Sequence, residues 1–286
     1  MNFKKTCIAL ALAGGFVSVA NAAPTVISKG GTSATIADSG LFSSSTSLGL
    51  SNGGLEYINL GIFASNYTLR DSTGIIATAD QAAGETNPFG GVTSLTVSDS
   101  SYTFGSFSGW DFKMRESITS PGHLVYTVTI TNNTGHDATG VQWGFGVDPD
   151  VPFTIGSGTK IVIDGVGALS SVTATSASGY WLSLRNVTGA NADHTHPYVD
   201  RFNCCSPVNP LTMHLASQVV GHYGFSDGSI NMAFTLGHDG LIKNGDSSVV
   251  DYELVMGVPE PETYAMFMAG LGLMGFIARR RKNGQA

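Results

Sequence analysis

The stretch richest in metal-binding side chains is Asp193-His194-Thr195-His196. Imidazole nitrogens bind divalent transition metals, and such a site gathers several donors around one point. If the stretch is a strand, side chains alternate, so His194 and His196 share a face. A third donor would then come from Asp193, His214 or His222. Against this, His196 precedes Pro197 and follows Asn, Ala and Asp, which is the composition of a loop. His194 and His196 are thus the metal candidates, but the expectation is of loop histidines and no cofactor.

Oxygen chemistry is less well marked. Asp148-Pro149-Asp150 puts two carboxylates at a strand end, with Asp137 as a further oxygen donor for calcium. The glycine and distal glutamate of an EF-hand loop are missing, so a solvated acidic turn is expected. Glycoside hydrolysis needs two carboxyl groups roughly 5 to 9.5 Å apart across a cleft. Glu56, Glu85, Glu116 and Glu253 are available, but no spacing selects a pair, and Glu116 is expected to pair with Arg115. No Gly-x-Ser-x-Gly, His-Glu-x-x-His or phosphate loop occurs. The expectation is a protein without catalysis. Trp110, Trp143 and Trp181 are the candidate sugar platforms. Trp143 is in phase with a core face, whereas Trp181 lies opposite Tyr180 and Leu182, so one side of its strand is expected to expose an aromatic.

Cysteine use is sparse. Cys204 and Cys205 are adjacent, and Cys7 falls near the start. Neighbouring Cα atoms lie about 3.8 Å apart, below the usual disulfide range, so a bridge between Cys204 and Cys205 would kink the chain. The alternatives are intermolecular bridges or free thiols.

The elements that would position these residues are strands. Leu124, Tyr126, Val128 and Ile130 alternate with Val125, Thr127, Thr129 and Thr131. After Asn132-Asn133-Thr134-Gly135, Trp143, Phe145 and Val147 alternate with glycines. Period-two patterning of this kind predicts two half-buried strands, placed to pair antiparallel. Further strands are expected at residues 55–63, 67–69, 75–79, 92–98, 101–107, 160–164, 167–174, 180–187, 211–220, 229–236 and 249–256. No helix is expected between the two ends. Short strands separated by Gly, Asn and Asp turns predict an all-β protein, an antiparallel β-sandwich of immunoglobulin-like or jelly-roll-like form.

The chain has 286 residues and a net charge of −7, but its ends carry much of the positive charge. Residues 24–258 hold 8 Lys+Arg against 19 Asp+Glu, a net of −11. An acidic body without a basic stripe argues against nucleic acid as a partner. Few charges, 37 glycines and many Ser and Thr fit an extracellular β protein.

Both ends read as targeting segments. Lys4 and Lys5, an apolar run and Ala20-Asn21-Ala22 fit a signal peptide over residues 1–22, cut by signal peptidase between Ala22 and Ala23. A body over residues 23–257 follows, then a tail over residues 258–286. The tail has three parts: Pro259-Glu260-Pro261, an uncharged apolar run over residues 263–278, and the basic group Arg279, Arg280, Arg281 and Lys282. As a helix the run spans roughly 24 Å, enough for a single transmembrane helix with help from its flanks. The basic group sets a cytoplasmic end.

Triad, span and basic cluster in this order resemble the PEP-CTERM sorting signal of Gram-negative bacteria. The resemblance covers the tail alone. It implies that Pro259, Glu260 and Pro261 are recognised by exosortase, a membrane-embedded processing enzyme, and that the precursor waits in the inner membrane before release to the surface or matrix. It also implies an exopolysaccharide-producing setting. From the residues alone, an uncut single-span anchor fits the same layout. The expected function is a structural, adhesive or exopolysaccharide-associated surface protein. The alternatives are a polysaccharide-active enzyme or a metal- or ligand-binding surface module.

Overall fold

A computed structural model describes residues 24–43, 49–58, 65–80, 88, 92–93, 99–152, 160–187, 195–200, 207–216, 218–225, 228–259, 271 and 274. In chain order the strands are β1 (Thr25–Lys29), β2 (Thr32–Ile36), β3 (Leu50–Asn52), β4 (Leu55–Glu56), β5 (Ser65–Asp71), β6 (Gly74–Asp80), β7 (Val92–Thr93), β8 (Ser100–Phe107), β9 (Trp110–Ser120), β10 (His123–Asn132) and β11 (Gln142–Val147). They continue with β12 (Lys160–Gly165), β13 (Ser171–Thr175), β14 (Trp181–Asn186) and β15 (Thr195–Asp200), the helix α1 (Pro210–Ala216), then β16 (Gly221–Phe225), β17 (Ser229–Thr235) and β18 (Ser247–Gly257).

These strands form two large antiparallel sheets and one small one. The large outer sheet runs β16-β12-β13-β14-β18-β10-β9-β8-β7, and the facing sheet runs β15-β17-β11-β5-β6. The meander β1-β2-β3-β4 packs at one end, where Gly122 N–H donates to Thr32 Oγ1 at 2.6 Å and Tyr57 O–H donates to the Gly257 carbonyl at 3.0 Å. The sandwich expected from the sequence is therefore present.

Its core is aromatic. Trp143 on β11 stacks on Tyr67 of β5, with centroids 4.7 Å apart, and on Phe112 of β9 across the sandwich at 5.7 Å. Phe145 meets Tyr252 of β18 at 4.8 Å, and Tyr252 stacks on Tyr126 of β10 at 5.0 Å. Offset contacts of this kind add to the burial that closes two sheets on each other.

Two expectations are corrected here. β10 and β11 do not pair. β10 lies between β9 and β18, while β11 lies between β5 and β17, so the two strands face each other across the core. Nor is β11 half-buried, since every residue in it is covered. Its outer face carries Gly144, where an added Cβ would stand 2.8 Å from the Pro210 ring. That glycine lets α1 sit flat on the sheet. The helix is the second correction, for residues 211–220 read as a strand. Asn209 caps it, its Oδ1 accepting the Leu211 N–H at 3.0 Å, and Pro210 occupies the first helical position.

Among the described residues no helix is long and apolar enough to cross a membrane. The signal segment at residues 1–22 lies outside them, as does the span at residues 263–278 except for residues 271 and 274.

Candidate functional site

Of the two histidines singled out, His194 lies outside the described residues and His196 lies on β15. The strand forms despite Pro197 because β15 is the edge of its sheet, where a missing N–H can face away from the ladder. Its other side pairs with β17, His196 opposite Ala233. Of the three proposed third donors the structure brings one to His196. His214 on α1 places Nδ1 2.7 Å from His196 Nε2, with ring centres 4.2 Å apart and planes at 78°. Both rings are half-buried. His222 is exposed on β16, and Asp193 lies outside the described residues.

Helix and strand are held to each other on two sides. Beneath the helix, Met213 packs with Val208, Ala233 and Tyr198. Beyond its end, Gln218 mimics a strand: Val199 N–H donates to Gln218 Oε1 at 2.8 Å, and Gln218 Nε2 donates to the Val199 carbonyl at 3.2 Å.

The carboxylates separate by environment. Glu116 does not pair with Arg115. Alternation along β9 turns Arg115 outward, over the Tyr102 ring, and Glu116 inward beside Met114, Thr103 and the Gly40 backbone. Glu116 is fully buried, neither oxygen has a hydrogen-bond partner, and burial pushes its carboxyl well above the usual range. Glu56 is raised by burial too, offset by backbone N–H groups of Leu50 and Ile58 that donate to it. Glu253 meets His123 Nδ1 at 3.2 Å. Glu85 lies outside the described residues.

Asp148 and Asp150 are buried, 5% and 2% exposed, not the solvated turn expected. The reason is that β11, whose end they extend, is covered on both faces. Asp137 belongs to the turn before β11, at its opposite end, and is exposed where its Oδ1 accepts the Asn244 N–H. Among the described residues no three His, Cys, Asp or Glu side chains group to hold a metal. Trp143 is buried as expected, whereas Trp181 is only half-exposed. Its indole lies over Gly257, filling the space a side chain would take on the neighbouring strand, and the Arg185 guanidinium lies 5.5 Å from the ring centre.

The sorting triad begins where the fold stops. β18 lies within the large sheet and keeps its pairing to Gly257. Val258 is exposed, and the Pro259 ring rests against Gly179 in the turn before β14. Glu260, Pro261, Arg279, Arg280, Arg281, Lys282, the Ala22-Ala23 junction and Cys204-Cys205 lie outside the described residues.

Residues 257–282 match the family model of the PEP-CTERM protein-sorting motif. No curated protein sequence matches the chain. Among solved structures, it is similar to a polysaccharide lyase at 13% identity and a TM-score of 0.44, over 82% of this chain and 34% of that one. A heparan sulfate lyase from Pedobacter heparinus is similar at 11% identity and a TM-score of 0.39, over 80% and 31%. A GalM/aldose epimerase homologue from C. elegans is similar at 9% identity and 0.43, over 83% and 100%. The chain thus spans about a third of the length of these lyases. At such scores none of the three informs the chemistry of this chain.

Proposed function

We propose, for a chain that carries a PEP-CTERM protein-sorting motif, that the β-sandwich is a non-catalytic payload delivered to the cell surface or matrix. The motif implies export, a membrane-anchored precursor and processing by exosortase. The observation that carries the reading is the match at residues 257–282, which starts at the last residue of β18. The match thus begins where the last strand of the sandwich ends.

The finer role is structural, adhesive or exopolysaccharide-associated. The environments of the carboxylates support it: Glu116 is sealed in the core, Glu56 holds a turn, and Glu253 meets a histidine across β10 and β18.

The test is made on the full chain in a host with exosortase. Glu260→Ala, or deletion of residues 279–282, leaves uncut precursor in the inner membrane, whereas the parent is released. Equal release of parent and variants overturns the sorting reading. Turnover of a glycan by the released protein, abolished by one Asp or Glu substitution, overturns the non-catalytic one.

A further inference from the structure

The His196–His214 pair goes beyond sorting: two imidazole nitrogens from separate elements stand 2.7 Å apart. A straight N–H···N contact of 2.7 Å between imidazoles would hold the ring centres roughly 5 Å apart. Here the centres are 4.2 Å apart. The line between the facing nitrogens therefore does not run through both ring centres. Two imidazoles aimed at one ion from about 2.0–2.1 Å, at an N–metal–N angle of roughly 80°, reproduce both the 2.7 Å and the 4.2 Å separations. Tetrahedral zinc would spread the nitrogens to roughly 3.3 Å. Among first-row divalent ions, cupric ion binds nitrogen ligands most tightly.

We propose that His196 Nε2 and His214 Nδ1 are two ligands of a divalent transition-metal site, with cupric ion as its tightest occupant. The two ligands come from separate elements that are held to each other. His196 stands on a strand paired to β17, and His214 on a helix seated on Gly144 and clamped by Gln218. A chelate is strongest when its ligands need not be gathered on binding. Half-burial lets an ion reach the rings from solvent. Among the described residues no group of three His, Cys, Asp or Glu side chains forms around them.

Proton bookkeeping is simple. Without the ion, one of the two facing nitrogens carries the shared proton. On binding, that ring shifts its proton to its other nitrogen, both lone pairs face the ion, and neutral rings release no proton.

The test uses the full chain in detergent, stripped by a chelator and titrated with Cu²⁺. One equivalent is expected, with hyperfine coupling to two imidazole nitrogens in the electron paramagnetic resonance spectrum. At about a hundredfold excess over Kd the unfolding midpoint rises by about 5–10 °C. His196→Ala and His214→Ala each weaken binding by at least about tenfold, while His238→Ala changes nothing. Coupling to fewer than two imidazole nitrogens in the parent chain overturns the proposal whether or not the variants fold. So does unchanged uptake by the double variant, or an intense sulfur-to-copper band that places the ion on Cys204 and Cys205.

Discussion

Glu116 and the His196–His214 pair are both titratable groups set among apolar side chains, in opposite circumstances. Glu116 is fully buried inside the sandwich, and neither of its carboxyl oxygens has a hydrogen-bond partner. The two histidines stand at a sheet edge, half-buried, each facing the other. Sealing a carboxyl without a donor costs stability and keeps it from any solute. Half-covering two imidazoles fixes their direction and leaves a route in. Burial alone does not mark a functional group in this fold.

The largest effect that sharpens this contrast lies in the aromatic core. Trp143→Ala removes the ring that stacks on Tyr67 and Phe112, and is expected to destabilise the fold by about 3–5 kcal/mol. Leu215→Ala, on the outer face of α1 and 70% exposed, should stay within about 0.5 kcal/mol. Denaturant midpoints of the two variants read the difference. Similar losses would mean that the edge is as much a part of the core as the centre.

Glu116 gives the next effect, and its sign is fixed by burial. Its folded pKa lies above its unfolded one, so the folded state favours the protonated carboxyl. The stability it permits is complete below the unfolded value, about 4.5, and is lost as pH rises through the folded value. Glu116→Gln does not titrate. Parent and variant should therefore be similarly stable at pH 4, and the variant should lead by about 1–3 kcal/mol once the parent carboxyl is forced to ionise or hold its proton against the solvent. Stability measured from pH 4 to 9 checks this. A difference that does not change with pH would show that Glu116 is not sealed.

The sequence carried the centre of this molecule better than its edge. β10 and β18 were legible because Leu124, Tyr126, Val128 and Ile130, and Val250, Tyr252, Leu254 and Met256, alternate without a break. β9 was missed because Glu116 interrupts the same alternation from Trp110 to Ile118. The sheet assignment of β11 failed for a different reason: neighbours in sequence are expected to pair, and nothing local says that Trp143 faces Phe112 across a core. At the edge, His196 and the possible role of His214 were readable as residue types. Their meeting was not, since 18 positions separate them and only the turn of α1 onto β11 closes the gap. The signal for that helix was present in Asn209-Pro210, a capping residue followed by a proline suited to the first turn.

That cap supplies the smallest effect and the finest probe of the comparison. α1 has seven residues, too few to stand without support. It is held by Met213 beneath, by Gln218 beyond its end, and by Asn209, whose side chain takes one N–H while its carbonyl accepts those of Thr212 and Met213. Asn209→Ala removes the side-chain bond and should cost about 1 kcal/mol. The loss should stay local. Amide exchange in residues 210–216 should quicken, and that of β10, deep in the large sheet, should not follow beyond the global change. His214 would then sample other directions, so the imidazole contact weakens while Trp143 keeps its stack. Uniformly faster exchange throughout the chain would show instead that helix and core open as one cooperative unit, and the distinction between a sealed centre and an accessible edge would fail.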